Sequence, residues 1–263
     1  MPVFRSLTGA PMRANVPSLA WTLVRTDFKV RYHGTIAGFL WALLKPLAMV
    51  LVLVGVFSFV FGAQKDYASN VIIGILLYDF FSEATKVGLT SLRSKGYLLT
   101  KSAAPSWIIV ATSFSNAAVT LAVVASVYLA VISFRGQVLT VTSLALLLWY
   151  LCHYVLMVVG ISLATSVLFL KYRDLHEVWD VLIQAGFFVA PIVYPLSILP
   201  EKFHIFLYAW PPTPIIQFVR AVLLTGQVPT FRAHVYLSIE TLAIVLLGTW
   251  VFGQFRGRVA EYL

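Results

Sequence analysis

Asp79, Glu83 and Lys86 bring three ionisable side chains into an otherwise apolar run, within GILLYDFFSEATKVGLTSLRSKGYLLTKSAAPSW (residues 74–107). At i, i+4 and i+7 the three share one face of a helix. Asp79 and Glu83 could in principle serve as a general acid and base. No nucleophile and no oxyanion donor accompanies them, so catalysis is the weakest of the available chemistries, and the chain reads as a non-enzyme. Its five histidines are scattered without metal-ligand spacing, and no His-Glu-x-x-His occurs, so no metal site is expected. A Gly-x-x-x-x-Gly-Lys-Ser/Thr loop is absent too, leaving the chain without the usual cradle for a nucleotide phosphate. Cys152 is the single cysteine and forms no internal disulfide. The charged trio is therefore read as structural electrostatics at a membrane boundary. Glu83 and Lys86, at i and i+3, are within pairing reach, and ionisable groups at that depth face protein or water rather than lipid. The plain alternative is that the span ends early and leaves Glu83 and Lys86 wet.

The elements that must position these groups follow from composition. Sixty per cent of the 263 residues are apolar and eleven per cent charged, more greasy surface than one soluble core can hide. Long apolar runs recur near the roughly 20 residues that cross a bilayer as helix. Six spans are expected at 36–61, 69–88, 106–132, 143–168, 179–195 and 233–254, in one transmembrane domain over 1–263 without repeats. No cleavable signal peptide is read, because the first apolar run is too long for one. Placing both termini inside gathers Arg5, Arg13, Arg25, Lys29, Arg31, Arg93, Lys95, Lys101, Lys171, Arg173, Arg256 and Arg258 on the cytoplasmic side. Only Lys65, Arg135, Lys202, Arg220 and Arg232 fall outside, as the positive-inside bias requires. That bias accounts for most of the net charge of +9 without a nucleic-acid partner.

Three further elements stand out. Residues 17–34 put Leu19, Leu23 and Val30 on one side of a helix, and Arg25 and Lys29 on another. That pattern suits an amphipathic helix in the cytoplasmic headgroup layer, bound to membrane lipid. Gly34-x-x-x-Gly38 opens the first span with a spacing that allows close helix approach, and Lys45-Pro46 marks a kink inside it. Residues 91–102 read as a short polar helix after the second span, of a size to dock into another protein's groove. Residues 190–232 hold seven prolines yet stay rich in Leu, Ile, Phe, Trp and Tyr. Two short helices fit there, one from about Pro200 to Tyr208. The other has Thr213 as N-cap, Pro214 at its first position and Gly226 as stop. Helices too short to cross fit a re-entrant hairpin at the outer leaflet, or else a cap lying flat on the membrane.

Five blocks in this order resemble the polysaccharide-export permeases of the ABC-2 type, the Wzm, KpsM and TarG proteins of O-antigen, capsule and teichoic acid export. They are DFKVRYHGTIAGFLWALLKPL (27–47), GILLYDFFSEA (74–84), the 98–105 segment, Lys171-Tyr172-Arg173-Asp174-Leu175, and PIVYPLSILP with PPTPIIQFVRAVLLTG (191–226). The resemblance runs from about residue 19 to the end. It implies an all-α membrane protein with an interfacial helix, six transmembrane helices, a coupling helix between spans two and three, and a gate-helix pair at 199–226. It further implies a homodimer in the inner (cytoplasmic) membrane, docked on a pair of cytoplasmic ATPase subunits that bind ATP and Mg, and exporting a lipid-linked polysaccharide. The chain itself would hold no cofactor. ATPase coupling would fall to Arg93, Lys95, Tyr97, Leu98, Leu99 and Lys101, with Arg173 and Asp174 as a second contact. Asp79, Glu83 and Lys86 would set the cytoplasmic mouth, and Pro200, Pro211, Pro214 and Arg220 would belong to the gate. Family resemblance and position single out Trp41, Phe57, Tyr78, Phe81, Phe187 and Tyr194 for a glycan path. Two departures are visible: Ala104-Pro105-Ser106 stands where the family has an aromatic-Pro-Arg step, and Trp210-Pro211 where it often has Asn-Pro.

Other functions remain open at this point. An ABC-2 type permease for drugs or small lipids would share the fold but not the DFKVRYHG and FFSEA blocks. An ion-coupled secondary transporter would need ionisable groups near the midplane and usually a repeat. A membrane scaffold would leave the polar 91–102 segment unexplained.

Overall fold

The computed structural model describes residues 16–32, 40–61, 66–101, 105–134 and 139–259, and all regular elements among them are helices. The Gly34–Gly38 spacing, Lys65, Ala104 and Arg135 lie outside the described residues, as do the side chains of Leu99 and Lys101. The helices are α1 (Val16–Tyr32), α2 (Leu40–Phe61), α3 (Tyr67–Ser94), α4 (Gly96–Lys101), α5 (Ser106–Ser113), α6 (Ser115–Phe134), α7 (Val141–Lys171), α8 (Leu175–Val189), α9 (His204–Tyr208), α10 (Pro212–Arg220) and α11 (Phe231–Phe255).

Among the described residues, four helical stretches are long and apolar enough to cross a membrane: Leu43–Phe61, Ser106–Phe134, Val141–Lys171 and Phe231–Phe255. The chain is a membrane protein. The Ser106–Phe134 stretch is α5 and α6 with a local break at Phe114. Just before it, Thr112 and Ser113 turn their hydroxyls back onto the carbonyls of Ile108 and Val110, a habit that bends helices. The 28 residues of α3 reach roughly 42 Å, but Asp79, Glu83 and Lys86 interrupt their apolar run. The segment expected to span 179–195 is helical only over Leu175–Val189, roughly 22 Å. Ala190 turns extended there (φ −69°, ψ 124°) because Pro191 disfavours a helical residue before it.

α3 is the hub, packing on α2, α5, α6, α7, α8 and α10. α7 and α11 form the most extensive pair; they cross at Gly160, where a Cβ would lie 2.9 Å from the carbonyl oxygen of Ile244. The main core is built around Phe81, Tyr150, Tyr154, Met157, Ile215 and Ile216. Three of its buried tyrosines spend their hydroxyls on carbonyls of other segments: Tyr154 on Leu77 at 2.9 Å, Tyr67 on Val193 at 3.0 Å, Tyr78 on Ile183. A hydroxyl away from water needs such a partner, and each bond here also ties two helices or a helix and a loop. By contrast α2 buries little of itself, leaving Leu51, Phe59 and Val60 exposed; a surface this apolar faces lipid or another chain.

A second cluster joins α1 to the ends of α3, α5, α7 and α11 through Leu23, Leu92, Ile108, Leu170 and Phe252, with Leu19 packed beside them. The apolar side of α1 is thus narrower than its sequence suggests. Val30, expected alongside Leu19 and Leu23, is exposed.

Candidate functional site

Asp79, Glu83 and Lys86 do lie on one face, where they line a cavity of about 330 Å³ together with Arg31, Lys45, Ser82 and Thr120. The expected Glu83–Lys86 pair does not form. Glu83 pairs with Arg31 of α1, and Lys86 Nζ lies 2.8 Å from Asp180 Oδ1 of α8. The reason is geometric: each side chain finds an opposite charge on a neighbouring helix, and both stay about one-third exposed. His176 stands 3.9 Å from the other oxygen of Asp180. The face of α3 therefore fastens α1 on one side and α8 on the other. A third pair, Lys95 with Asp27, joins α1 to the residue that immediately precedes α4, and it is the best buried of the three at 16% and 18% exposure.

α4 itself is six residues long. Tyr97 projects from it, 59% exposed, while Leu98 is partly buried against the second cluster. Arg93 is exposed and sets its guanidinium 5.7 Å from the ring centre of Phe169, near the end of α7. Arg173 and Asp174 are exposed in the α7–α8 turn. Phe169 thus brings Arg93 and the α7–α8 turn to the same end of the molecule.

The six aromatic candidates divide. Tyr78, Phe81 and Phe187 come together: Tyr78 meets Phe187 edge-on at 5.4 Å and Phe81 at 6.4 Å. Two residues that sequence reasoning missed complete the cluster. Phe81 stacks on Tyr154 at 6.0 Å and meets Trp210 edge-on at 5.7 Å. Tyr78 and Phe81 are buried inside the chain, whereas Trp41 is exposed on α2. Phe57 stacks on Phe61 instead, and Tyr194 is half-buried with its hydroxyl on the Phe188 carbonyl at 2.9 Å. The indole of Trp210 rests on the bare backbone of Gly186, where a Cβ would lie 2.8 Å from Nε1. A tryptophan directly before two prolines, next to a short helix, was the available signal for it.

The proline-rich segment holds two short helices of unequal character. Pro200 precedes a 3₁₀ turn, Glu201–Phe203, which leads into the five-residue α9. Ile205 and Phe206 of α9 are exposed and only Leu207 is buried. α10 is the buried one, continuing through a π turn to Thr225 and ending at Gly226 (φ 64°). Its start differs from expectation, because Pro211 rather than Thr213 occupies the N-cap and Pro214 lies inside the first turn. Consecutive prolines at 211 and 212 already fix φ near helical values, so the helix begins earlier.

Arg220, at the end of α10, is 7% exposed. Its guanidinium donates to the Asn70 carbonyl from Nε (3.0 Å) and Nη2 (2.6 Å), to Pro191 from Nη1 (2.6 Å) and to Ile192 from Nη2 (2.9 Å). One side chain thereby locks α10, the start of α3 and the broken end of α8. Among the described residues no carboxylate pairs with it, and no cluster of His, Cys, Asp or Glu could hold a metal ion.

Comparison with known proteins adds the family. The model of the ABC-2 type transporter family matches residues 18–224. Among curated proteins, the chain is 24% identical to an O-antigen export system permease protein RfbA of Klebsiella pneumoniae, over 92% of this chain and 93% of that protein. It is 24% identical to the RfbA of Myxococcus xanthus, over 91% and 93%. The polysialic acid transport protein KpsM of Escherichia coli is 21% identical, over 84% of this chain and 87% of its own length.

Proposed function

This chain belongs to the ABC-2 type transporter family, and from that membership we propose that it is the permease subunit of an ATP-driven exporter of lipid-linked polysaccharide of the O-antigen kind. The observation that carries the reading is the end-to-end likeness to permeases named for polysaccharide export. ATP, with Mg, is bound and hydrolysed by a separate pair of cytoplasmic ATPase subunits. Two copies of the chain form the conduit in the inner membrane, with both termini cytoplasmic. α3 and α8 complete six crossings with the four apolar stretches, α8 being extended by the turns after it.

In this reading Tyr97, with Leu98, Leu99 and Lys101 of α4 and the flanking Arg93 and Lys95, receives the ATPase stroke, and Arg173 and Asp174 add a second contact. The stroke has a physical route inward. Lys95 is paired to Asp27, and Arg31 on the same α1 helix is paired to Glu83, so α4, α1 and the charged mouth at Asp79, Glu83 and Lys86 shift as one body. The exposed Trp41 and the half-buried Phe187 and Tyr194 offer ring faces to the glycan. Tyr78 and Phe81 stiffen the wall behind Phe187, and Phe57 supports α2. Buried α10, with Pro211 at its N-cap, Pro214 in its first turn and Arg220 at its end, is the outer gate, and Pro200 starts the shorter arm.

The test is export itself. Removing the chain from its host should abolish the surface polysaccharide and leave the glycan inside. The purified chain alone should show no ATPase activity, and activity should appear on adding the ATPase pair. Normal surface glycan without the chain would sink the proposal.

A further inference from the structure

A polar cavity of about 500 Å³ opens between the start of α3 and the end of α10, within the roughly 300–1,000 Å³ usual for small-molecule sites. Asp66, Asn70, Gln217, Arg220, Thr225 and Gln227 line it. Three of these are amides, one a carboxylate and one a hydroxyl, so both donors and acceptors face the same space. Several are only partly used. Gln217 Nε2 is buried with no acceptor among the described residues. Asp66 sits at the head of α3 in a left-handed conformation (φ 59°) and makes no side-chain capping bond. Asn70 spends its amide donor on the Asp66 carbonyl at 3.1 Å, which leaves its side-chain oxygen as an acceptor.

We propose that this cavity binds a neutral sugar ring, as a contact for the glycan at the outer end of the conduit. The proposal rests on the glycan-export reading and on its placing of α10 at the outer face. A sugar ring presents adjacent hydroxyls, each a donor and an acceptor, which is the complement of paired amides beside a carboxylate. The charge argues for neutrality. Asp66 offsets Arg220, whose N–H groups are largely committed to the carbonyls of Asn70, Pro191 and Ile192. Among the described residues that line the cavity, an acidic sugar or a phosphate would meet the Asp66 carboxylate with Arg220 as the one cation, already committed to those carbonyls. A single carboxylate is also too little for a divalent cation.

The experiment uses the full chain in lipid nanodiscs. Saturation-transfer NMR is recorded with methyl α-mannoside, methyl β-galactoside and methyl N-acetyl-β-glucosaminide as probes, and N-acetylneuraminic acid as the acidic control. At least one neutral glycoside should receive saturation. Gln217→Leu and Asp66→Ala should each weaken that binding about fivefold or more, the loss of roughly one hydrogen bond, while Arg232→Gln leaves it unchanged. Gln217→Leu removes an unpaired buried donor and preserves shape, so it should melt no lower than the parent chain and keeps the test valid if Asp66→Ala folds poorly. No signal from any neutral glycoside, equal signal in Gln217→Leu, or a stronger signal from the acidic sugar overturns the proposal. Surface glycan in cells carrying or lacking the chain reports on the export reading separately.

Discussion

Arg220 of α10 and the backbone carbonyl of Asn70 in α3 are joined by two hydrogen bonds, at 2.6 and 3.0 Å, although 150 residues separate them in sequence. The pairing fixes the buried short helix to the hub of the fold. Because the same guanidinium also serves Pro191 and Ile192, truncating it strips those two loop carbonyls of this donor, at about 1–3 kcal/mol each, and takes from Asn70 the bonds it accepts beyond its helical one. Arg220→Ala should therefore lower the thermal midpoint of the detergent-purified chain sharply. Arg220→Lys should recover little, since an ammonium cannot reproduce the planar fork. A melting point unchanged in both variants would remove the lock.

The Arg31–Glu83 pair spans α1 and α3 with both side chains about one-third exposed, so its contribution to stability should be small, on the order of 1 kcal/mol or less. Its proposed role is mechanical. Arg31→Glu and Glu83→Arg should each cut surface glycan several-fold with little loss of membrane-inserted protein, and the double exchange should restore export. Double-mutant additivity would show that the two residues do not act together.

Tyr97 gives a clean test of the proposed ATPase contact, because it is 59% exposed while Leu98 also packs inside. Tyr97→Asp should reduce co-purification of the ATPase about tenfold and leave the permease melting unchanged. Leu98→Asp should lower both. Full recovery of the complex with Tyr97→Asp would move the docking surface away from α4.

The aromatic residues should separate by position. Phe81→Ala empties a fully buried site and should cost about 3–5 kcal/mol, seen as poor folding and not as selective loss of transport. Trp41→Ala touches an exposed side chain and should spare the fold while lowering export. Stable Phe81→Ala protein with normal packing would contradict the cluster, and undiminished export by Trp41→Ala would take that residue off the path.

A bulkier residue at 186 tests the contact between α8 and the proline-rich segment. Gly186→Ala puts a methyl where the Trp210 indole lies, and overpacking of that kind costs about 1–3 kcal/mol. The melting point should fall, and Trp210→Leu in the same chain should relieve part of the loss.

The sequence by itself determined the class of this protein and most of its helices. Hydrophobic runs are local properties, so α2, α7 and α11 were legible to within a few residues and Gly226 marked where the α10 segment stops, whereas α8 ends at Val189, short of the expected 195. The trio at 79, 83 and 86 shared a face because helical periodicity demands it. What only the tertiary structure decided was partnership. Glu83 was three residues from Lys86 yet found Arg31, and Lys86 found Asp180, because charges on neighbouring helices compete with those along one helix and distance in space settles the contest. The same holds for Arg220, legible as a cation in an apolar segment, but not as a donor to carbonyls on α3 and after α8. Tyr78 and Phe81 were chosen as ring faces for a path, and packing put them inside. Burial depends on which helices meet, and a one-dimensional pattern carries the face of each helix without naming its neighbour.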